Sequence, residues 1–506
     1  MLRKIFERRV VSALLILFEI ILLVLFSIFL SNYFLYFWIV TIILDLIFVL
    51  RILNIRTISE YKAPWICVVL LIPFIGVLLY LLFYKRHLGR KEVKHLDRMK
   101  KTANQISFDG VANDSLKQAD YDGFLQAQLI RKQADASVYR NTSAKYYSIG
   151  EDMFDDMLKD LSKAKKFIFL EYFILSKGYM WDSILRILKL KVKEGVEVRV
   201  MYDDVGSLKT IPSHYDRKLR KIGIDCRIFS KITPKASSRH NNRNHRKILV
   251  IDGIIAYTGG INIADEYINK KVRFGHWKDG GIRLFGDAVN GLTKLYLMDW
   301  DLNSHSISDY VKYHVRENLS IENNGGYYIP YGDGPSPIYD NFVAKNVYLN
   351  MINAAKSYIY ISTPYLIVDS ELIDSLCNAA IKGVDVRIFT PHIPDKKVIH
   401  IMTRSSYKQL IESGVKVFEY RDGFIHAKNV LCDDKFAVVG TINFDYRSLV
   451  HHYENAVWIY NSEIIPDMKK DFETLSLISI NVDKPIKFKL HQKLIKSIAE
   501  FFAPLL

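Results

Sequence analysis

Three long apolar runs open the chain, and they set it apart from everything that follows. The runs span residues 10–30, 33–50 and 63–84. Each run is about long enough to cross a bilayer at the helical rise of roughly 1.5 Å per residue. A cleaved signal peptide would contain a single short apolar stretch, so three runs in succession predict a membrane anchor instead. We expect two or three hydrophobic helices within residues 1–84.

Basic residues flank both ends of this anchor, namely Arg3, Lys4, Arg8 and Arg9 before it and Lys85, Arg86, Arg90, Lys91 and Lys94 after it. Positive charge favours the cytoplasmic side, and three full crossings cannot place both flanks there. Pro64 and Pro73 lie in the third run and mark it as the candidate for a shallow or re-entrant segment. The pattern therefore predicts a multi-pass anchor in the cell membrane with a cytoplasmic catalytic domain.

Residues 85–145 are polar and basic, with a mixed helical pattern and no motif. Such a segment fits a connector on the membrane surface and a solvated linker equally well. The C-terminal residues 485–506 form a basic amphipathic helix by their spacing. This helix can lie on anionic lipid or pack on the catalytic core, and we expect the packing on the core.

From residue 146 onwards, apolar strand patterns alternate with helical ones, as in 166–174, 184–194 and 196–202. This alternation predicts βαβ units and a mixed or parallel sheet covered by helices. The pattern then recurs: Gly195-Val-Glu-Val-Arg is echoed by Gly383-Val-Asp-Val-Arg. We therefore predict an α/β fold with two pseudo-symmetric α/β/α halves, 146–320 and 341–484. A stretch rich in Gly and Pro, 321–340, links them.

Charge and cysteine content narrow the class of partner only slightly. The chain carries 70 Lys and Arg against 54 Asp and Glu, a net charge of +16. This balance suits anionic lipid or nucleic acid, or serves solubility alone. The four cysteines are scattered without metal-ligand spacing, so neither a disulfide framework nor a metal site is expected.

The chemistry is concentrated in one short motif that occurs twice. The first copy has His245, Lys247, Asp252 and Asn262, and it contains an Asp-Gly hairpin signal between two β-branched runs. A histidine and a lysine two residues apart share one side of a strand. A neutral imidazole beside an ammonium group forms an anion site with a nucleophile or proton carrier already in place.

The second copy has His426, Lys428, Asp433 and Asn443 at the same spacing, displaced by 426 − 245 = 181 residues. A lone strand histidine is more often a structural residue than a catalyst. Four residue types recurring in register make chance a poor explanation of this pair.

The duplicated motif resembles the signature of the phospholipase D superfamily and, within it, the chain resembles the bacterial cardiolipin synthases over almost its whole length. One departure is Gly260, where the superfamily often has Ser. The stretches that carry the closer resemblance are Tyr61-Lys-Ala-Pro-Trp65, Pro73-Phe-Ile-Gly76, Tyr202-Asp-Asp-Val-Gly-Ser207, Arg243-Asn-His-Arg-Lys247, Arg404-Ser-Ser-Tyr407, Gly423-Phe-Ile-His-Ala-Lys428 and Asn443-Phe-Asp-Tyr-Arg-Ser448.

The resemblance implies a role for each motif residue. His245 would be the nucleophile and His426 the acid and base, with the lysines and the motif aspartates Asp252 and Asp433 completing the catalytic sets. The asparagines would bind the phosphate, the more so because Gly260 offers no hydroxyl.

Two further carboxylates, Asp279 and Glu454, follow His245 and His426 by 34 and 28 residues respectively. In the family, an acidic residue at about this place accepts a hydrogen bond from the far nitrogen of the histidine and fixes its tautomer. A plain surface charge is the alternative for either residue.

Two such His/Lys/Asn sets around one phosphate can stabilise a pentacoordinate phosphoryl transition state without a metal or cofactor. The resemblance implies phosphatidyl transfer from one phosphatidylglycerol to another, which yields cardiolipin and glycerol at an anionic lipid surface. Hydrolysis by a membrane phospholipase D and the use of phosphatidylethanolamine as donor remain alternatives. A nuclease has no use for three apolar runs, so no nucleic acid partner is expected. A non-enzymatic scaffold would not need both histidines.

Overall fold

The computed structural model describes residues 17–22, 24–25, 33–55, 57–84, 90–106, 111–232, 241–304, 306–315, 321 and 326–505. The chain divides into two compact units. The anchor unit comprises residues 1–87, 232–240 and 497–506, and the catalytic unit comprises 88–231 and 241–496. Much of the first apolar run lies outside the described residues.

The anchor unit contains the helices α1 Phe34–Leu53, α2 Ser59–Leu71 and α3 Ile75–Phe83. Within the described residues, Leu35–Leu53 is the helix whose length and apolar composition would suffice to cross a membrane. The third apolar run is broken between α2 and α3, where Phe74 has a φ of 63°. At 13 and 9 residues, α2 and α3 are each shorter than the roughly 20 residues that a bilayer requires.

The break brings α2 and α3 back against each other, and Gly76 makes this contact close. A Cβ at Gly76 would clash with the carbonyl oxygen of Val68 on α2. A residue without a side chain therefore allows the two backbones to meet. Behind them, Trp65 and Tyr80 pack edge to face with ring centroids 5.5 Å apart. The third run is thus a helical hairpin rather than one continuous helix.

The catalytic unit is built from two large mixed sheets and two short pairs of strands. Its strands are β1 Thr142–Tyr147, β2 Phe167–Tyr172, β3 Glu197–Asp203, β4 Asp225–Phe229, β5 Lys247–Ile251, β6 Ile255–Gly259, β7 His276–Lys278, β8 Gly281–Gly286, β9 Tyr327–Asp333, β10 Tyr358–Ser362, β11 Leu366–Ile367, β12 Asp385–Pro391, β13 Lys416–Tyr420, β14 Gly423–Ile425, β15 Asn429–Cys432, β16 Phe436–Gly440, β17 Phe444–Asp445, β18 Glu454–Tyr460 and β19 Ser479–Val482.

Helices cover these sheets and connect their parallel strands. They are α4 Arg90–Ala103, α5 Val111–Ala119, α6 Tyr121–Ala134, α7 Gly150–Lys163, α8 Tyr179–Lys193, α9 Tyr215–Lys221, α10 Val289–Leu302, α11 Tyr310–Tyr313, α12 Val343–Ala354, α13 Ser370–Ile381, α14 Lys397–Ser405, α15 Tyr407–Glu412 and α16 Ile465–Ile478. One more helix, α17 Leu490–Phe502, follows β19 near the C-terminus.

The strand orders confirm the pseudo-symmetric halves. The first sheet has the order β1-β8-β6-β5-β2-β3-β4, and the second has β9-β18-β16-β15-β10-β12-β13-β19 when read from the matching edge. In both sheets the three strands joined by helices run parallel and the remaining ones antiparallel. The second half adds β19 at its far edge. The α/β class with mixed sheets is therefore confirmed.

The Asp-Gly hairpin is confirmed in its turn geometry as well as its strands. β5 and β6 pair antiparallel across Asp252 and Gly253, whose φ angles are 54° and 73°. Two successive positive φ angles belong to the hairpin turn that matches the twist of the strands. The second copy turns in the same way at Asp433 and Asp434, with φ angles of 52° and 55°.

The described part of the segment 85–145, residues 90–106 and 111–145, belongs to the catalytic unit, so the expectation of a separate connector or a solvated linker was wrong. Its helices α4 and α6 bury apolar residues in the catalytic core, for example Met99 and Ile130 at 1% exposure each. Residues 142–147 form β1, the edge strand of the first sheet. The segment is polar in overall composition, but each of these helices has one narrow apolar face. That face, and not the overall composition, determines where the helix packs.

The stretch 321–340 is also more than a linker. Residues 327–333 form β9, which pairs antiparallel with β18 and occupies the same place in the second sheet as β1 in the first. Each half therefore begins earlier than the sequence patterns suggested, at Thr142 and Tyr327. Gly and Pro around β9 favour a linker in the sequence because these residues commonly mark loops.

The expected packing of the C-terminal helix on the catalytic core was wrong. α17 forms at Leu490–Phe502, but none of its side chains is buried. A core contact would have required an apolar face covered by protein.

Candidate active site

Each motif histidine is held where the two halves of the catalytic unit meet. His245 lies two residues before β5 begins, and its backbone N–H donates to the carbonyl oxygen of Tyr453 at 2.9 Å. His426 directly follows β14, which pairs in parallel with β7, and its N–H donates to the carbonyl oxygen of Lys278 at 2.7 Å. Both histidines are thus fixed by backbone hydrogen bonds to the opposite half.

The two orienting carboxylates are exchanged between the halves. Nδ1 of His245 donates to Glu454, at 2.9 and 3.0 Å from its two oxygens. Nδ1 of His426 donates to Asp279 at 2.7 Å. Spacing along the chain associates each carboxylate with the histidine that it follows, whereas the fold pairs it with the other one. The physical reason is the pairing above, because residue 454 opens β18 just after Tyr453 and residue 279 follows β7.

This arrangement fixes one tautomer on each ring. A carboxylate can only accept, so each Nδ1 carries the proton and each Nε2 keeps its lone pair. The rings are also packed in place, with Phe173 at a centroid distance of 5.2 Å from His245 and Trp277 at 5.4 Å from His426. Two rigid imidazoles with free Nε2 atoms result.

Burial and nearby positive charge keep both imidazoles neutral. Burial lowers the pKa of His245 well below its ordinary value, and Lys247, Lys428 and His426 lower it further. Burial and Lys428 lower the pKa of His426 to about 4, although Asp279 acts in the opposite direction. At neutral pH each Nε2 is therefore available as a nucleophile or base.

The two motif lysines are buried, and burial makes their charged form less stable than it is in water. Burial lowers the pKa of Lys247 to about 7 and that of Lys428 to about 8. Nζ of Lys247 donates to the carbonyl oxygen of His245 at 2.6 Å, and Lys428 donates likewise to that of His426. Each ammonium group keeps further N–H donors for an anion.

The structure does not bring the motif aspartates Asp252 and Asp433 into this site, which corrects their assignment as catalytic. Asp252 follows the far end of β5, about 16 Å of extended strand beyond Lys247. Its carboxylate accepts three backbone N–H groups, from residues 165–167, at 2.8, 2.6 and 2.9 Å. Asp433 accepts those of residues 356–358 at 2.7, 2.8 and 2.8 Å. Both aspartates therefore fix the start of a central strand.

We expect Asp252→Ala to lower stability and to leave the chemistry intact. Loss of three hydrogen bonds to a buried carboxylate costs about 2–4 kcal/mol in the free energy of unfolding. Turnover per folded molecule should stay within about threefold of wild type, since no reacting group is changed. Urea denaturation and turnover measured on the same preparation test this, and a large fall in turnover at unchanged stability would contradict it.

The two motif asparagines are engaged with protein. Asn262 accepts from the backbone N–H of Ile174 at 3.0 Å and donates to the hydroxyl of Tyr267 at 2.8 Å. Asn443 donates to the carboxylate of Asp445 at 3.1 Å. Each amide nitrogen has two N–H groups, so each keeps a second donor.

The sequence associates a hydroxyl at position 260 with phosphate binding, but the structure gives this position a different role. The equivalent residue in the second half, Thr441, donates through its hydroxyl to the carboxylate of Glu454. A hydroxyl at this position therefore holds the orienting carboxylate, not the phosphate. A Cβ at Gly260 would clash with the carboxylate of Asp279, so the glycine makes room for that residue.

Two residues that sequence reasoning missed lie next to Glu454. Arg246, between His245 and Lys247 in the motif, is fully buried and donates to the backbone carbonyl oxygen of Glu454 at 3.0 Å. It also pairs with Asp299 at 3.2 Å. His452 lies with Nδ1 3.7 Å from Glu454 and its ring 5.6 Å from that of His245. The available signal for Arg246 was its place in the motif, between His245 and Lys247.

Comparison with known proteins decides the family. Residues 157–272 and 348–476 match the family described as "Cardiolipin synthase, PLD-like domain", and residues 43–83 match "Phospholipase_D-nuclease N-terminal". A cardiolipin synthase of Staphylococcus aureus is 33% identical over 481 residues, which cover 92% of this chain and 95% of that protein. The chain belongs to the bacterial cardiolipin synthases of the phospholipase D superfamily.

Other relatives agree with this family in length and fold. An uncharacterized protein of Streptococcus mutans is 43% identical over 450 residues, covering 87% of this chain and 96% of that protein. Phosphatidylserine synthase of Haemophilus influenzae, at 14% identity, superimposes with a TM-score of 0.58 over 76% of this chain and 100% of that one. The last similarity shows a shared fold. As a family member, the enzyme is a phospholipid phosphatidyltransferase associated with a membrane.

Proposed function

We propose that this enzyme makes cardiolipin by transferring the phosphatidyl group of one phosphatidylglycerol to a second, with release of glycerol, through a phosphohistidine on His245. The observation that carries the proposal is the crossed pair of buried neutral histidines beside two lysines. Such a pair offers one nucleophile and one proton carrier to a single phosphate.

In the first step, Nε2 of His245 attacks the phosphorus, and the bond from phosphorus to the glycerol oxygen breaks. His426 donates a proton to that oxygen. The phosphodiester brings its negative charge between Lys247 and Lys428, which raises the pKa of His426 and lets it take up this proton as substrate binds. Glu454 stabilises the imidazolium character that develops on His245.

In the second step, His426 is again neutral and removes the proton from a hydroxyl of the second phosphatidylglycerol. The resulting alkoxide attacks phosphorus, and the bond from phosphorus to His245 breaks. Lys247 and Lys428 stabilise the extra oxyanion charge in both steps, and the second N–H groups of Asn262 and Asn443 are further donors. No metal or cofactor is needed in this scheme.

The test is to incubate the purified enzyme with labelled phosphatidylglycerol and to separate the products. We expect cardiolipin and free glycerol in equal amounts. Phosphatidic acid as the main product would overturn transfer in favour of a phospholipase D, and release of ethanolamine from added phosphatidylethanolamine would identify that lipid as donor. His245→Ala protein prepared in parallel provides the background.

The lysines give the enzyme a predictable pH dependence. With pKa values of about 7 and 8, Lys247 and Lys428 are charged below those values and become neutral as the pH rises through them. Because the anion site requires both charges, kcat/KM should begin to fall as the pH rises above about 7 and should fall more steeply above about 8. A kcat/KM that is constant up to pH 9.5, about 1.5 units above the higher value, would contradict this role.

We also propose a multi-pass anchor with the catalytic unit on the cytoplasmic side, supported by the basic residues at both ends of the apolar segments. A fluorescent protein that folds only in the cytoplasm, fused after Leu506, should fluoresce. An exported phosphatase fused at the same place should stay inactive, and the reverse pattern would place the unit outside.

A further inference from the structure

The apolar side of α17 is a regular surface that the described residues leave largely exposed. At about 100° per residue, its six large apolar residues fall within an arc of roughly 140°. Leu490, Leu494 and Ile498 are 85%, 64% and 54% exposed, and Ile495, Phe501 and Phe502 are also exposed. An uncovered apolar stripe of this size is typical of a surface that binds a partner.

The charge around the stripe indicates the chemistry of that partner. Lys487, Lys489, Lys493 and Lys496 lie on or just before α17, whereas Glu500 is the only acidic residue in 485–506. An apolar face bordered by lysines fits the boundary between the headgroups and the acyl chains of an anionic bilayer. A second copy of the chain would bring the same positive charges together, which opposes self-association.

The residues after the helix belong to the anchor unit. Ala503–Leu505 packs against α2, and Leu505 joins the apolar cluster that contains Tyr61 and Trp65. Ala503 and Pro504 are buried there. The C-terminal end of α17 is therefore tied to the part of the chain that carries the apolar membrane segments.

We propose that α17 is an interfacial helix that inserts its apolar face into an anionic lipid surface, with Lys489 and Lys493 near the lipid phosphates. The helix is held to the membrane at one end by Ala503–Leu505 and along its length by lipid. This role is separate from the reaction, and its test does not depend on turnover.

The test uses the full-length enzyme reconstituted into vesicles of phosphatidylcholine with or without phosphatidylserine. Cys67 is the one cysteine that is not buried, so Cys67→Ala leaves a background suitable for labelling. A polarity-sensitive fluorophore is attached at Leu494→Cys on the apolar face, or at Gln492→Cys on the opposite face as the matched control. Ile498→Cys replaces the first position if that variant does not fold.

We expect brominated acyl chains to quench the label at position 494 in anionic vesicles, and aqueous iodide to quench the label at position 492. Changing Lys489 and Lys493 to Gln should lower the ratio of inserted to free helix by about tenfold or more. Iodide quenching at 494 in anionic vesicles, or shielding from both quenchers, would overturn the proposal, because the face would then lie in water or against protein. Equal insertion with and without phosphatidylserine would overturn the role of the lysines.

Discussion

Replacement of His426 by Ala should trap the reaction at its covalent intermediate, and replacement of His245 by Ala should prevent that intermediate from forming. Both variants should lose turnover by at least about 10³-fold, because nucleophile and proton carrier act as a unit. With labelled phosphatidylglycerol, an acid-labile and base-stable phosphohistidine should accumulate slowly in the His426 variant and never in the His245 variant.

Two observations control this experiment. The double variant, with both histidines replaced by Ala, should be no less active than either single variant. Each single change already blocks the same two-step reaction. Unfolding curves should show that the variants stay folded. If label accumulates in the His245 variant and is absent from the His426 variant, the two histidines exchange roles.

Glu454→Gln and Asp279→Asn should each lower turnover by about 10²- to 10⁴-fold, because an amide no longer fixes the productive tautomer or stabilises the imidazolium. The crossed pairing makes the two defects different. Glu454 holds His245, so Glu454→Gln should slow formation of the phosphohistidine. Asp279 holds His426, the proton carrier of both steps, so Asp279→Asn should slow discharge of the phosphohistidine to the acceptor lipid as well as its formation.

Rapid-quench measurements of labelled enzyme separate the two steps. Asp434→Asn is the matched control, because Asp434 adjoins the second motif but pairs with Lys469 at 2.9 Å and is 54% exposed. Its turnover should equal that of wild type. If Glu454→Gln slowed both steps and Asp279→Asn only formation, each carboxylate would act on the histidine that it follows in the chain, and the crossed arrangement would be wrong.

The sequence alone determined the repeat and much of each half. The displacement of 181 residues between the two motifs predicted equivalent halves, and the two sheets share the order of seven strands. The Asp-Gly pair predicted the β5–β6 hairpin with its turn. These features depend on the periodicity of apolar residues and on the residues preferred in turns. Both act between residues close in sequence and can therefore be recognised from a single sequence.

The sequence predicted the boundaries of the two halves only in part. β1 and β9 pair with strands about 140 and 130 residues away, so nothing next to them in sequence marks them as sheet members. The helices α4 and α6 have a polar composition, and the core that covers their apolar faces comes from distant residues. A local pattern states which face is apolar but not what covers it.

The site itself was decided by tertiary structure. His245 meets Glu454 across 209 residues and His426 meets Asp279 across 147, and sequence spacing paired them the other way round. Asp252 and Asp433 are part of the motif, yet strand direction carries them away from the histidines to backbone N–H groups. The motif specifies which residue types are present. Which of them share one phosphate depends on how the two sheets meet, because a hydrogen bond is a relation in space that the order of residues along the chain does not contain.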